Sequence, residues 1–451
     1  MNLSLINPFR LSRLTVPLWF FVFVPYKLGE ALLITLLPLF IVQTVNGSVT
    51  DVGRVHSLTS LAGVIAFIVW GNLSDRLKLR RPFLILGFCG FALCTALTAI
   101  AQGIEQVMIF CTLGAFLMAA ITPVASALVI DGNPEDRWAS AFGRFYQISG
   151  WSFVGGVLLG ASWLAFIPIH WTSMGLRSLL ILASCAATVS LILCCKWVKE
   201  PRKSSQHRQY QPELHDVISV AVIERRAMFY SSRMLYFILH PSWGVNLLHK
   251  LSRPLLLYYA CAAVFFFAVN VVFVPFPIFL TTHLGATNTQ VLLITMGKAA
   301  IEAFFYLPMA RFVQKRKGVQ LQAGATAIRV AVFLIFSLVA IMPVHPLSLP
   351  IVGVAHLLTG LTWAAISISS TTIVATLAPK GQEAIAMGSY NSLIGIATII
   401  GSLVGGMMAV SYGYSACFIT GAILMGVTAT RLFWIGRMPN LILQKQGNPI
   451  K

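Results

Sequence analysis

The stretch GNLSDRLKLRRPF, residues 71–83, concentrates charge between two apolar runs. Its charged side chains fall within seven positions and are Asp75, Arg76, Lys78, Arg80 and Arg81. In the whole chain of 451 residues, 57% are hydrophobic and 10% are charged, whereas a soluble domain has about 25% charged residues. The composition predicts a membrane protein, in which such a charged patch marks a loop outside the lipid.

Apolar runs long enough to cross a bilayer recur along the chain. A helix needs about 20 apolar residues to cross a hydrocarbon core about 30 Å thick. Lipid offers no hydrogen bonds to the backbone, so each crossing is predicted to be helical, and the protein to be all-α. The twelve predicted spans are residues 16–45, 52–73, 83–103, 106–130, 138–166, 176–197, 255–281, 288–312, 321–342, 349–377, 384–410 and 415–436.

The basic residues predict the orientation of the spans. The formal net charge is +19, and an even number of crossings places both termini on one side. If that side is cytoplasmic, all but six of the 32 Lys and Arg residues lie in cytoplasmic segments or at inner helix ends, the positive-inside pattern. The six others are Lys27, Arg54, Arg144, Arg177, Lys298 and Arg329. We therefore expect a multi-pass protein of the plasma or bacterial inner membrane that attracts anionic lipid; the charge gives no support to nucleic-acid binding.

A long polar segment divides the chain into two groups of six spans. The predicted parts are an N-terminal bundle at 1–197, a cytoplasmic loop at 198–254 and a C-terminal bundle at 255–451. The loop mixes basic residues with aromatic and aliphatic ones, which favours an amphipathic helix on the inner membrane surface. A regulatory element or a partner site is the alternative for this loop.

The two groups are related by an internal repeat. Residues 119–160 align without a gap on 364–405, a shift of 245 positions. The repeat includes the glycines at 143, 150, 156 and 160, which match those at 388, 395, 401 and 405. The sequence therefore predicts a duplicated six-helix unit with pseudo-symmetric halves.

The charged patch resembles the cytoplasmic signature of the major facilitator superfamily. Gly71, Asp75, Arg76, Arg80 and Arg81 match that signature, whereas residue 78 is a lysine where the family usually has glycine. The resemblance extends over the whole chain through the twelve spans, the central loop and the repeat. It implies two six-helix bundles that rock about a central cavity and expose it alternately to each side.

The resemblance also implies that the patch is a cytoplasmic gate. Asp75 would cap the N-terminus of the eleventh helix, where the helix dipole favours an anion. Arg76 or Arg80 would reach Asp131 at the inner end of the fourth helix. The alternative is that the basic residues of the patch only enforce topology.

Ionisable residues within the spans are the main pointers to mechanism, because charge at membrane depth is costly. The first span holds Lys27 and Glu30, and the eighth holds Lys298 and Glu302. Each pair has helical spacing and could simply neutralise itself within one helix. On cavity-facing surfaces, Glu302 and Glu30 would instead be candidate proton carriers, with Glu302 the stronger candidate.

Further polar and aromatic residues are candidates for the substrate cavity, alongside Lys27 and Lys298. Arg144, Gln147 and Trp151 share one face of the fifth helix, although Arg144 could also snorkel to the interface. For Arg329 we expect snorkelling. The remaining candidates are His356, Trp363, Tyr390 and Asn391, of which His356 and Trp363 could stack on a substrate ring.

The sequence predicts a secondary active transporter that moves a small organic solute by rocker-switch alternating access, coupled to protons. The glutamates would suit export of amphiphilic or cationic compounds. The basic residues would suit a facilitative or exchange carrier for an organic anion or sugar-like solute. A non-transporting receptor or scaffold is the other alternative. The sequence shows no motif of an enzyme, a metal site or a cofactor, and we expect a monomer.

Overall fold

A computed structural model describes residues 17–77, 79–131, 138–198, 200, 253–315, 318–377 and 383–437. The predicted cytoplasmic loop at 198–254 therefore lies almost entirely outside the described residues. In the N-terminal half a 3₁₀ turn, Leu18–Val22, leads into α1. The helices of this half are α1, Phe23–Gln43; α2, Val49–Leu77; α3, Arg81–Ile100; α4, in two segments, Ile104–Met118 and Ile121–Asp131; α5, Trp138–Phe166; and α6, Thr172–Trp197.

The C-terminal half repeats this plan. Its helices are α7, Arg253–Phe273; α8, Asn288–Lys315; α9, Gly318–Ile341; α10, Ser348–Leu377; and a continuous helix, Glu383–Ile435. Gly413 divides the last helix into α11, 383–412, and α12, 414–435, because its φ of 83° and ψ of 170° are not helical. A positive φ is easily adopted by glycine, which has no Cβ, and the chain turns back there.

Each of the twelve predicted spans is helical where the structure describes it. Nine helical segments of the described residues are long and apolar enough to cross a membrane, with the segment ending at Ile435 counted once although it contains α11 and α12. The other two spans are α2 and α8, whose sequences are more polar. The protein is thus an all-α membrane protein with two six-helix halves.

The seventh span is interrupted near its end. α7 ends at Phe273, and after Pro275 the chain continues as a short turn, Phe276–Ile278, and a π-helical turn, Phe279–His283. Proline removes a backbone donor and obstructs the preceding turn, which explains the interruption.

Packing confirms the internal repeat, because equivalent helices have equivalent neighbours. α1 packs on α5 and α6, and α7 packs on the helix that contains α11 and α12. Gly156 of α5 lies against the backbone of Leu28 in α1, and its repeat partner Gly401 of α11 lies against the backbone of Phe267 in α7. A Cβ atom at either glycine would collide with the facing carbonyl oxygen. These glycines permit the close helix contacts within each half.

The two halves meet through α2 with α11 and through α5 with α8. Ser57 of α2 donates a hydrogen bond to the carbonyl oxygen of Ile399 at 2.8 Å, and Gly53 lies against the backbone of Gly406. Nearby, the side-chain amides of Gln43 and Asn288 exchange two hydrogen bonds, of 2.7 and 3.0 Å. All of these contacts lie toward the end of the molecule opposite the patch at 71–83. The structure is therefore closed at that end.

Replacing Gly53 with leucine should force the closed end apart, because a side chain there would overlap the backbone of α11. A cysteine at Ser57, in a background without the native cysteines, reports the opening through its rate of labelling by a maleimide in detergent. We expect labelling to become at least several-fold faster.

The matched control is Gly63→Leu, since a Cβ at Gly63 on the same helix meets no atom within 4 Å. It should leave labelling unchanged. Equal rates in Gly53→Leu and the parent protein would show that the Gly53 contact does not keep this end closed.

Candidate substrate and proton site in the membrane interior

An ion pair lies on α1 within the membrane-spanning part of the N-terminal half. Lys27 Nζ is 2.5 Å from one carboxylate oxygen of Glu30, and the Tyr26 hydroxyl donates a hydrogen bond to the other oxygen at 2.8 Å. The Glu30 side chain is 11% exposed and that of Lys27 is 26% exposed. The carboxylate is thus bound on both oxygens, and the Glu30 side chain is more shielded than the Lys27 side chain.

A second ion pair of the same kind lies on α8 in the C-terminal half. Lys298 Nζ is 2.8 Å from Glu302, and the Tyr306 hydroxyl donates to the other carboxylate oxygen at 2.7 Å. Here too the carboxylate, at 16% exposed, is more shielded than the lysine, at 29%. The spacing that suggested self-neutralisation within each helix therefore produces real ion pairs, and a tyrosine completes each of them.

The α8 pair faces the interior of the protein. Leu293 and Phe304 are 44% and 65% exposed and mark the outer side of α8. At about 100° per residue, Lys298 lies about 140° and Glu302 about 180° around the helix from Leu293. Since both charged groups point away from the outer side, they do not face lipid.

Arg329 is buried, so the expectation that it snorkels to the interface is wrong. It is 1% exposed, its Nε donates to Thr362 Oγ1 and one Nη donates to the Thr359 carbonyl oxygen, each at 3.1 Å. Its guanidinium also lies over the rings of Phe265 and Trp363, at 5.4 and 5.5 Å. Snorkelling fails because the Arg329 side of α9 is covered by α7 and α10 rather than by lipid.

The second terminal nitrogen of Arg329, Nη1, is buried and makes no hydrogen bond to the described residues. Arg329 interacts electrostatically with Glu302, Tyr306 donates its hydrogen bond to Glu302, and the Trp363 ring lies under the Arg329 guanidinium. We call the set of Lys298, Glu302, Tyr306, Arg329 and Trp363 the C-terminal charge cluster. The sequence identified Lys298, Glu302 and Trp363 as site candidates. Tyr306 was recognisable only by its helical spacing from Glu302.

His356 is not presented for stacking on a ligand as the sequence suggested. It is buried, its ring stacks on Phe276 with centroids 4.7 Å apart, and the edge of Phe273 approaches at 5.6 Å. Its Nδ1 has no hydrogen-bond partner among the described residues. One face of the imidazole is therefore already covered by the turn that follows α7.

The other cavity candidates occupy different surroundings. Tyr390 is buried against Tyr258 and Tyr259 of α7, whereas Asn391 is exposed. On α5, Arg144 is half-buried, and Gln147 and Trp151 are exposed. No group of three or more His, Cys, Asp and Glu side chains within the described ranges could hold a metal ion.

The loop that follows α2 is held by a residue that the sequence did not single out. The Glu200 carboxylate, just beyond α6, accepts hydrogen bonds from the backbone amides of Arg80 at 2.9 Å and Arg81 at 2.8 Å. Arg80 also donates to Ser74 at 3.0 Å, and Arg81 donates to the Cys195 carbonyl oxygen. These bonds secure the N-terminus of α3 within its own half.

The predicted cross-gate contacts remain predictions. Gly71, Asp75 and Arg76 lie in the last turns of α2 and Asp131 ends α4, but the side chains of Asp75, Arg76 and Asp131 are outside the described structure. Lys78 is also outside it.

Two pseudo-symmetric six-helix halves, each with an ion pair on one helix in the membrane-spanning part, are typical of a polytopic membrane transporter. A family profile described as Major Facilitator Superfamily matches residues 19–257 and 258–447. The chain belongs to the major facilitator superfamily.

Known proteins agree with this assignment over parts of the sequence and over the whole fold. The chain is 33% identical over 103 residues to "Multidrug resistance protein 3" of Bacillus subtilis (strain 168), a match that covers 23% of this chain and 20% of that protein. It is 28% identical over 148 residues to "Multidrug resistance protein MdtG" of Klebsiella pneumoniae (strain 342), covering 33% of this chain and 34% of the relative. These matches thus span about a fifth and about a third of the relatives' length.

Among solved structures, a bacterial homologue of the human drug peptide transporters PepT1 and PepT2 superimposes with a TM-score of 0.72. The identity is 13%, and the superposition covers 95% of this chain and 98% of the other. At that identity the likeness concerns the fold.

Substituting Gly360 with alanine should disturb the C-terminal charge cluster, because Gly360 of α10 lies directly against the carbonyl oxygen of Lys298. We expect the free energy of unfolding to fall by about 1–3 kcal/mol from overpacking. Denaturation in mixed detergent micelles measures it.

Gly353→Ala is the control, on the same helix two turns away. Its Cβ would lie 3.6 Å from Ile294 of α8, an ordinary contact, so we expect no loss and a gain of up to about 1 kcal/mol from helix propensity. Equal stabilities of the two variants would contradict the close contact at Gly360.

Proposed function

We propose that this protein is a proton-coupled secondary transporter that moves a small organic solute by alternating access. The observation that carries the proposal is the pair of Glu–Lys–Tyr arrangements on α1 and α8. Each places a carboxylate and an ammonium group together at membrane depth, where a charge without a partner would be costly.

Such an arrangement suits proton coupling. A carboxylate in a poorly hydrated site is stable as an anion while a lysine compensates it, and as a neutral acid when that compensation is removed. Glu302 is the better candidate, because Lys298, Tyr306 and Arg329 all act on it. Glu30 has the same type of partners on α1, in Lys27 and Tyr26.

The packing between the halves supports alternating access. The contacts of α2 with α11 involve glycines and few side-chain hydrogen bonds, so they can separate without leaving many buried polar groups unsatisfied. The relatives named for multidrug resistance support an organic solute as cargo. We place both termini in the cytoplasm, on the basic side of the membrane, and expect the protein to work as a monomer in anionic lipid.

Glu302→Gln should abolish solute-driven proton movement. Proteoliposomes that contain the pH dye pyranine are exposed to organic acids, sugars, amino acids, nucleosides and lipophilic cations, and the internal pH is followed. We expect at least one class to change the internal pH with the parent protein. The change should fall at least tenfold with Glu302→Gln, because an amide cannot carry the proton, whereas exchange of the labelled solute should persist.

Glu105→Gln is the matched control, since Glu105 is an exposed glutamate in the first turn of α4. It should preserve proton movement. Unchanged proton movement with Glu302→Gln would remove Glu302 from the mechanism. Solute flux without any proton movement in the parent protein would exclude proton coupling.

A further inference from the structure

The two interior ion pairs are arranged asymmetrically with respect to solvent. In each pair the carboxylate is bound by a tyrosine and is less than two-thirds as exposed as the lysine: 11% against 26% on α1, and 16% against 29% on α8. The more accessible member of both pairs is therefore the lysine, Lys27 or Lys298. A ligand that approaches either pair meets the lysine side chain first.

The two lysines lie at different depths within the membrane-spanning part of the protein. With a helix rise of about 1.5 Å per residue, Lys27 lies about 24 Å along α1 from Gln43, and Lys298 lies about 15 Å along α8 from Asn288. Gln43 and Asn288 are hydrogen-bonded to each other, so Lys298 lies near the middle of a core about 30 Å thick, and Lys27 lies about 9 Å closer to the end that carries the patch at 71–83. α1 packs against helices of its own half and, at its Gln43 end, against α8.

The C-terminal charge cluster adds a fixed positive charge. Its two cations, Lys298 and Arg329, face one carboxylate, Glu302. Arg329 is 1% exposed, and its Nη1 has no partner among the described residues. In such a low-dielectric setting a cluster with one more cation than anions raises the potential of its surroundings and favours an anion nearby.

We propose that the transported solute carries an acidic group, which binds to the ammonium groups of Lys298 and Lys27. This inference rests on the proposed function and specifies its substrate class as organic anions, carboxylates above all. Arg329 is too buried to contact the solute and acts through its charge. A cationic solute would be repelled by the same groups.

Binding of an acidic group also explains how proton and solute would be coupled. When the solute carboxylate binds Lys298, it competes with Glu302 for the same ammonium group. Glu302, left without that counter-charge, binds a proton from the aqueous side that is open. One proton then accompanies one acidic group, and the cluster keeps its net charge throughout the cycle.

The experiment compares acids with their neutral counterparts. The purified protein in detergent at pH 7 is heated with benzoate, hexanoate, succinate or glutarate, each beside its carboxamide, and with benzylamine as the cation. We expect at least one acid to raise the unfolding temperature by about 2 °C or more while its amide and benzylamine do not. In Lys298→Gln the apparent affinity for that acid should fall about tenfold or more.

Two variants separate binding from folding. The double substitution Lys298→Gln with Glu302→Gln removes both members of the α8 ion pair, so it leaves no unpaired carboxylate. We expect this variant to lose binding of the acid as well. Arg54→Gln removes one exposed positive charge at the start of α2 and should bind as the parent protein does.

The outcomes distinguish this inference from the proposed function. Stabilisation by amides or benzylamine but by no acid, or stabilisation by none of the compounds, overturns the acidic-group assignment. An acid that binds equally well to the parent protein, Lys298→Gln and Lys27→Gln overturns its placement. Acid binding that disappears in Lys298→Gln, combined with no proton movement in the pyranine assay, supports the site and contradicts proton coupling.

Discussion

The interior of a lipid bilayer solvates neither peptide groups nor charges, and this constraint governs the structure. Backbone hydrogen bonds are satisfied within helices, and the interior charges described here are compensated by side chains. Lys27 with Glu30 and Lys298 with Glu302 form ion pairs that two tyrosines complete. Arg329 is accommodated differently, by two aromatic rings and two threonines, and keeps one nitrogen without a hydrogen bond.

The internal repeat produces the same kind of helix contact twice. Because equivalent helices pack in equivalent ways, the contact of α2 with α11 has its counterpart in that of α8 with α5. Glycines bring the helices of α2 and α11 close together with little side-chain interlocking. An interface of this kind holds one end of the molecule closed with few hydrogen bonds between side chains of the described residues. Such an interface suits the proposed alternating access, in which the halves would separate at modest cost.

The charged residues serve different purposes according to their place in the fold. At the patch between α2 and α3, Glu200 binds the amides of Arg80 and Arg81, so part of the signature stabilises the N-terminal half itself. In the interior, the same residue types meet a poorly hydrated environment, in which a change of partner can move a proton. This difference in hydration, more than the identity of the side chains, distinguishes a structural ion pair from a candidate coupling site.

The sequence alone determined the helices, their number and the duplication. A bilayer requires each span to have a certain length and low polarity, and both are visible in the run of residues along the chain. The shift of 245 positions aligned Gly156 with Gly401, and the structure shows that they pack in equivalent ways against α1 and α7. The ion pairs were visible because their members are neighbours on one helix. Only the tertiary structure decided the position of Arg329, the covered face of His356 and the role of Glu200. Their partners come from other helices, and one sequence carries no signal for which side of a helix its neighbours will cover.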